Sequence, residues 1–206
     1  MNPFLGLLIS YLAGSIPFAY LAGKAKGVDL REHGSGNLGA TNAIRVLGPG
    51  IGGAVYLGDT LKGMLPPLLL GRIVDSANPE LWAMGFGCAA ILGHVKPIFL
   101  MGRGGGKGVA TAGGVFFGLA PIPAFIAFTG FVITVAATRY ASLGSIVAAI
   151  LLPTFIFFLH GGLTALFVIS AAVGLFVIWN HRANVSRLRQ GTESKVTRKK
   201  AEAKAT

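Results

Sequence analysis

Residues 141–159 read ASLGSIVAAILLPTFIFFL and contain no charged side chain. An α-helix of about 20 apolar residues is as long as the hydrocarbon core of a bilayer, which is roughly 30 Å thick. Because lipid offers no hydrogen-bond partners, backbone N–H and C=O groups that cross it must be bonded within a helix or a closed barrel. The stretch therefore predicts a transmembrane helix and an all-α fold class.

Similar apolar stretches recur along the whole chain. Of its 206 residues 53% are apolar and 12% charged, and the mean hydropathy is +0.69, which is outside the usual range of water-soluble domains. Pro121 and Pro123 predict a tight turn between two short helices, because proline breaks a continuous helix. We predict a polytopic membrane helical bundle of about seven transmembrane helices, at residues 3–22, 50–71, 81–101, 109–120, 122–138, 141–159 and 162–180.

The positive charge of the loops predicts the sidedness of this bundle. Short cytoplasmic loops carry an excess of Lys and Arg. Basic residues are concentrated after the first, third, fifth and last spans, whereas the opposite loops contain almost only Arg72. We expect the N-terminus outside and the C-terminus in the cytoplasm, with the polar loops and any active site on the cytoplasmic side of the cell membrane. Residues 1–193 are expected to form a single membrane-embedded domain, and residues 194–206 a basic, disordered tail.

The net charge of +11 narrows the class of partner. Nucleic acid is not expected, because the basic residues lie in loops and the tail without interleaved aromatic residues. The lipid bilayer and an anionic substrate fit this distribution better. The His and acidic residues lack the spacing of zinc or two-metal sites, so we predict no metal and no cofactor.

The first polar run is GSGNLGATNAIRVLG, residues 34–48. Its G-x-G-x-x-G pattern is typical of dinucleotide sites, but such a site needs a preceding strand and a βαβ unit, which KAKGVDLREH does not provide. The glycines can still bring N–H groups close to an anion, and an arginine can bind phosphate through two hydrogen bonds. A flexible interfacial loop with a snorkelling arginine is an equal alternative. The candidate ligands are Ser35, Asn37, Thr41, Asn42 and Arg45.

The second run is GRGGGKGVAT, residues 102–111. It fails the Walker A pattern, because Met101 replaces the first glycine and Gly108 follows Lys107 where Ser or Thr is required. Backbone N–H groups and a lysine at a helix N-terminus nevertheless form an anion site. We favour that interpretation over a merely flexible glycine linker.

The third run, NHRANVSRLRQGTE, follows the last span at residues 180–193. Helical spacing places His181 and Asn184 on one face, with Arg187 nearby, although by themselves such residues more often bind anionic lipid. Ser142 and Ser145 begin the sixth span, where hydroxyl groups cap a helix or help to bind an anion; capping is our first interpretation.

Ionisable residues also lie inside the predicted spans. The spacing of Asp59 and Lys62 allows a helical ion pair, which is our first interpretation of two charges inside a span. His94 and Lys96 are expected to snorkel towards the cytoplasmic loop. Cys88 is expected to be a small packing residue.

Five segments resemble one protein family. SGNLGATNAIR (35–45), GGKGVAT (105–111) and HRANVSRLRQGTE (181–193) closely resemble the three cytoplasmic motifs of the bacterial acyl-phosphate-dependent glycerol-3-phosphate acyltransferases, the PlsY family. GSIPFAYLAGK (14–24) and RYASLGS (139–145) are also similar to that family. The resemblance implies transfer of a fatty acyl group from acyl phosphate to the 1-hydroxyl of sn-glycerol 3-phosphate, giving lysophosphatidic acid and phosphate. A soluble enzyme that produces the acyl phosphate is a further expected partner.

The resemblance also implies roles for individual residues. The family's essential residues correspond to Ser35 and Arg45, to the glycine loop with Lys107, and to His181, Asn184 and Glu193. The segment MGRG departs from the family pattern, so the resemblance gives Arg103 no role. With the residues named above, the predicted catalytic residues are Ser35, Arg45, His181 and Asn184. The predicted phosphate-binding residues are Asn37, Thr41, Asn42, Gly104, Gly105, Gly106, Lys107, Gly108, Ser142, Ser145, Arg187 and Glu193.

The chemistry of an acyl phosphate favours direct attack by the glycerol hydroxyl, because phosphate is already a competent leaving group. Ser35 is then a positioning hydrogen-bond donor, and either His181 or a donor phosphate oxygen takes the proton. The alternative function is an organic-phosphate transporter of the membrane, which predicts an inverted repeat and polar groups near mid-membrane. No internal repeat is found in the sequence. A scaffold bound to anionic lipid is a third candidate, but it leaves the glycine-lysine loop without a purpose.

Overall fold

The computed structural model describes residues 1–196, which form eleven α-helices and contain no β-strand. A π-helical turn at Pro66–Leu70 extends the fourth helix, and a 3₁₀ turn at Ile98–Leu100 follows the sixth. The helices are α1 Pro3–Gly14, α2 Phe18–Ala25, α3 Ala40–Leu47, α4 Pro49–Leu65, α5 Gly71–Ile73, α6 Pro79–Val95, α7 Val109–Leu119, α8 Pro121–Thr138, α9 Ala141–Leu159, α10 Ala165–Asn180 and α11 Arg182–Arg189.

The apolar helices are those of a membrane protein. Four segments are long and apolar enough to cross a bilayer, and α10 and α11 form a fifth candidate that bends by 55°. The four are Pro3–Ala25, Pro79–Leu100, Pro121–Thr138 and Ala141–Leu159. The all-α prediction is confirmed. By length and composition the described residues thus contain four or five candidate spans, fewer than the seven predicted, because α7 has only 11 residues and α4 carries Asp59 and Lys62.

Two helix boundaries follow from prolines. The predicted turn between two short helices is confirmed, since α7 ends at Leu119 and α8 begins at Pro121. The first span, predicted as one helix, is broken between Gly14 and Phe18. Pro17 has no N–H to donate, and a proline disfavours helical geometry in the residue before it. The break leaves the Ile16 carbonyl available to the side chain of Lys62, 2.7 Å away.

Small residues allow the helices to pack closely. Helix α1 lies against α6, α4 against α7, and α9 between α8 and α10. A Cβ atom on Gly14 would overlap the Ala90 backbone, and one on Gly63 would overlap the Thr111 backbone. Close backbone approach of this kind is typical of helix pairs in membranes. At one end of the bundle the loops, α3 and α11 surround a polar cavity.

Candidate active site

A cavity of about 380 Å³ opens at the polar end of the bundle. It receives residues from all three polar runs and from the start of α9. Of the predicted site residues, the cavity is lined by Ser35, Asn37, Thr41, Asn42, Arg45, Lys107, Ser142, Ser145, His181, Asn184, Arg187 and Glu193. Side chains that are far apart in sequence thus converge on a single pocket.

Asn42 organises the first run. Its side chain is buried, and its Nδ2 donates to the Leu30 and His33 carbonyls at 3.0 Å each. Its Oδ1 accepts the backbone N–H of Ser35 at 2.8 Å. Gly34 and Gly36 have φ values of +64° and +70°, in the left-handed region that favours glycine. Asn42 therefore positions Ser35 at the cavity, and the side-chain amide of Asn42 makes its hydrogen bonds with the protein backbone.

Arg45 projects from α3 towards the C-terminal segment. Its Nη2 donates to the Ser194 carbonyl at 2.8 Å and its Nε to the Lys195 carbonyl at 3.3 Å. Burial and the nearby Arg187 lower the pKa of this guanidinium, and Glu193 offsets part of that effect. Because its partners within residues 1–196 are neutral carbonyls, Arg45 keeps a full positive charge at the cavity.

Lys107 is the second cation of the cavity. Its Nζ donates to Asn184 Oδ1, and its carbonyl accepts Asn180 Nδ2 at 3.5 Å. Burial, followed by repulsion from Arg187 and Arg45, lowers the pKa of Lys107 to about 8. A bound anion would relieve this repulsion.

The glycines beside Lys107 lie behind the cavity. A Cβ on Gly105 would overlap the backbone of His94 and Val95, and one on Gly106 would overlap the His94 ring. Gly104 and Gly108 have φ values of +72° and +87°, and Gly108 immediately precedes α7. In the structure these glycines allow the loop to pack against the end of α6, which presents Lys107 to the cavity.

Glu193 joins the C-terminal segment to α9 and α11 beside the cavity. Its Oε1 accepts Ser142 Oγ and Asn184 Nδ2 at 2.7 Å each, and its Oε2 accepts Arg187 Nε at 2.7 Å. Burial opposes ionisation, but these hydrogen bonds keep the pKa of Glu193 below its usual value. The capping interpretation of the two serines is wrong, since Ser142 donates to Glu193 and Ser145 donates to the Ala141 carbonyl within its own helix.

His181 lies at the junction of α10 and α11. It is buried, and its Nδ1 is 2.8 Å from the Val177 carbonyl, so Nδ1 carries the proton and Nε2 is an acceptor. Burial, together with the positive charge of Lys107, lowers the pKa of His181 to about 4. The imidazole is therefore neutral at pH 7 and a weak base.

Asp59 and His94 also line the cavity, although the sequence did not assign them to the site. The predicted ion pair is present, with Lys62 Nζ 2.7 Å from Asp59 Oδ1. The snorkelling interpretation of His94 is wrong, because its side chain is buried with Nδ1 3.5 Å from the same carboxylate oxygen. The cost of burying Asp59 was a signal that it needed partners, but helix spacing could not identify one on α6.

An apolar cavity of about 70 Å³ adjoins the polar one between α7, α8, α9 and α10. Tyr56, Val109, Phe131 and Ser145 line both cavities. A cationic cavity that continues into a small apolar one can hold an anionic group next to a few methylene groups. The fold and site thus define an integral membrane protein with a cationic cavity beside an apolar one.

The family of this protein follows from comparison with known proteins. Residues 4–191 match the model of the family described as Glycerol-3-phosphate acyltransferase, and the chain belongs to this family. The glycerol-3-phosphate acyltransferase of Geobacter sulfurreducens is 46% identical over 195 residues, covering 95% of this chain and 98% of the relative. That of Bacillus subtilis is 44% identical over 191 residues, covering 92% and 95%.

Two crystal structures of PlsY, an integral membrane glycerol 3-phosphate acyltransferase, have the same fold. The glycerol 3-phosphate form is 38% identical with a TM-score of 0.87, and the lysophosphatidic acid form is 37% identical with a TM-score of 0.84. Each alignment covers 94% of both chains. The resemblance of the sequence to the PlsY family is confirmed.

Proposed function

We propose that this membrane acyltransferase transfers a fatty acyl group from acyl phosphate to the 1-hydroxyl of sn-glycerol 3-phosphate, giving lysophosphatidic acid and inorganic phosphate. The proposal rests on one observation. In a chain of the glycerol-3-phosphate acyltransferase family, the cationic cavity continues into an apolar cavity. Arg45, Lys107 and Arg187 offset the repulsion between two phosphorylated substrates, and the apolar cavity accepts the start of the acyl chain.

The reaction proceeds by direct attack of the glycerol hydroxyl on the acyl carbon. The C–O bond to phosphate breaks, and inorganic phosphate leaves without an acyl-enzyme intermediate. A pKa of about 4 makes His181 a weak base, whereas the leaving phosphate gains negative charge as the C–O bond breaks. A phosphate oxygen of the donor is therefore the better proton acceptor, while Ser35 donates a hydrogen bond to the reacting groups and Asn184 orients Lys107.

The proposal includes an orientation in the cell membrane. Seven helical segments cross the bilayer, with the short α7 and the charged α4 shielded by their neighbours, the N-terminus outside and the active site at the cytoplasmic face. Lys24 in the last turn of α2 and Lys26, Arg103 and Arg139 in the loops are the basic residues that the positive-inside rule expects at the cytoplasmic face. Residues 1–193 act as one domain; of the predicted tail, residues 197–206 lie outside the described residues. A soluble enzyme supplies the acyl phosphate.

Purified protein in lipid nanodiscs, given palmitoyl phosphate and glycerol 3-phosphate, tests the reaction. We expect lysophosphatidate and phosphate in equal amounts, and a much lower rate with palmitoyl-CoA. The control His160→Gln changes an exposed residue in the loop before α10 and should retain the wild-type rate. Equal rates with palmitoyl-CoA would contradict the donor assignment, and flux of intact glycerol 3-phosphate without product would favour the transporter alternative.

The direct-attack step has a separate test. Protein incubated with acyl-labelled palmitoyl phosphate alone is denatured and examined for covalent label. We expect the protein to carry no ester. A labelled ester on Ser35 that glycerol 3-phosphate discharges would show a two-step reaction instead.

A further inference from the structure

Three ionisable side chains form a buried cluster beneath the cavity. Lys62, Asp59 and His94 have side chains that are only 4%, 3% and 5% exposed. Asp59 Oδ1 lies 2.7 Å from Lys62 Nζ and 3.5 Å from His94 Nδ1. The cluster thus joins α4 to α6 through a single carboxylate oxygen.

The two ends of this cluster contact the break between α1 and α2 and the glycine loop before α7. At one end Lys62 Nζ donates to the Ile16 carbonyl at 2.7 Å, in the break between α1 and α2. At the other end the His94 ring meets the loop before α7, where a Cβ on Gly106 would overlap Nε2. Lys107 is the next residue and lines the cavity together with Asp59 and His94.

Charges buried among membrane helices are expensive, and replacing an ion pair by apolar residues of similar volume is often neutral or stabilising. A contribution to the stability of the fold is therefore a weak explanation for the Lys62–Asp59 pair. Its contacts with the cavity and with the glycine loop point to a role in the site instead.

We propose that Asp59 and His94 are positioning residues for the subsite that binds glycerol 3-phosphate. Lys62 fixes the Asp59 carboxylate, the carboxylate orients the His94 imidazole, and the imidazole forms the wall against which Gly106 packs. This wall sets how far Lys107 reaches into the cavity. The inference rests on the proposed function, because it concerns affinity for the acceptor substrate.

The packing against the wall leaves little freedom on either side. Gly105 lies against the α6 backbone and Gly106 against the imidazole, so the loop cannot move back without overlap. Removal of the imidazole frees the loop to shift at Gly106, whereas a methyl group on Gly106 pushes the loop away from α6. Displacements of about 1 Å in a positioned group cost up to roughly 100-fold in rate, so a smaller shift of Lys107 is expected to cost about 10-fold.

The first test compares steady-state kinetics of His94→Ala, Gly106→Ala and the double variant in nanodiscs. Each single variant should raise the KM for glycerol 3-phosphate about 10-fold, with kcat and the KM for palmitoyl phosphate changed much less. The double variant should raise this KM by less than the product of the two single fold-increases, because the added methyl group fills the space left by the ring. The proposal would be overturned if His94→Ala left the KM for glycerol 3-phosphate unchanged. It would also be overturned if the effects of the two single variants on this KM simply multiplied in the double variant.

The second test removes the charges together, so that neither is left buried alone. Asp59→Leu/Lys62→Met should fold, with an unfolding temperature near the wild-type value, and raise the same KM as His94→Ala does. His160→Gln is the matched histidine control and should leave every kinetic constant unchanged. An unaltered KM in the folded double variant would overturn the inference, whereas absence of product with wild-type protein would instead overturn the proposed function.

Discussion

Among residues 1–196, the Lys62–Asp59 and Arg187–Glu193 pairs have the same 2.7 Å separation but different surroundings. Lys62 and Asp59 are both buried within α4. Arg187 is 40% exposed, and its partner Glu193 also binds Ser142 and Asn184. The charges of the inner pair, Lys62 and Asp59, cancel beneath the cavity. The outer pair, Arg187 and Glu193, positions polar groups at the rim of the cavity. Because Arg45 and Lys107 bind neutral oxygens, the rim remains positive and suits phosphate.

Breaking the inner pair on one side should have the largest effect. Asp59→Leu leaves the Lys62 ammonium buried without its carboxylate and should lower the free energy of unfolding by about 3–5 kcal/mol. The double variant Asp59→Leu/Lys62→Met is the matched control and should stay within about 1 kcal/mol of wild type. Thermal unfolding in detergent measures the difference. Equal stability of the single and double variants would show that the pair is not a self-neutralising unit.

Removing a rim cation should leave the fold intact but reduce the reaction. Lys107→Met deletes the ammonium group while keeping the length of the side chain, and kcat/KM should fall about 10²–10³-fold, the usual loss for one stabilising donor. Arg103→Gln removes a cation from the same loop outside the cavity and serves as the control. Similar losses in both variants would indicate a general effect of loop charge.

The pH dependence of kcat/KM should follow the protonation of Lys107. Its pKa of about 8 lies below the ordinary lysine value, so the ammonium loses its proton as the pH rises through about 8. Activity that needs this cation is complete at lower pH, and kcat/KM should fall about 10-fold per pH unit well above the pKa. Lys107→Arg should move this decline to much higher pH, since arginine stays protonated. An unchanged alkaline limb in Lys107→Arg would assign the titration to another group.

Neutralising the outer carboxylate should have the smallest effect. Glu193→Gln keeps an oxygen acceptor for Ser142 or Asn184 but loses the charge that faces Arg187. Loss of about 1 kcal/mol from such hydrogen bonds corresponds to roughly a fivefold lower kcat/KM. Glu80→Gln, an exposed acid at the start of α6, should have no effect. A loss as large as that of Lys107→Met would mean that Glu193 takes part in the chemistry.

The sequence predicted the helices because apolar length is a local property. The all-α class and the turn before Pro121 needed no tertiary information. Composition and charge identified the three polar runs, and likeness to a family gave their residues expected roles. Contacts between distant elements were not accessible in this way. Ser142 was interpreted as a cap because its partner Glu193 lies 51 positions away. His94 was placed at the surface because spacing could not pair α6 with Asp59 on α4.

The glycine loop shows the same limit. Its composition indicated an anion site, but composition cannot separate glycines that touch a ligand from those that allow close packing. In the structure Gly105 and Gly106 lie against α6, and Lys107 reaches the cavity. Only the fold distinguishes these two uses of one short run.

Titration of glycerol 3-phosphate into the purified protein in nanodiscs, without donor, tests most directly whether the rim cations hold the substrate phosphate. Wild type, Lys107→Met and Asp59→Leu/Lys62→Met are compared. We predict that Lys107→Met weakens binding about 100-fold or more, and that the inner-pair variant weakens it only about 10-fold. Equal or reversed losses in the two variants would contradict the division between a binding rim and a positioning interior.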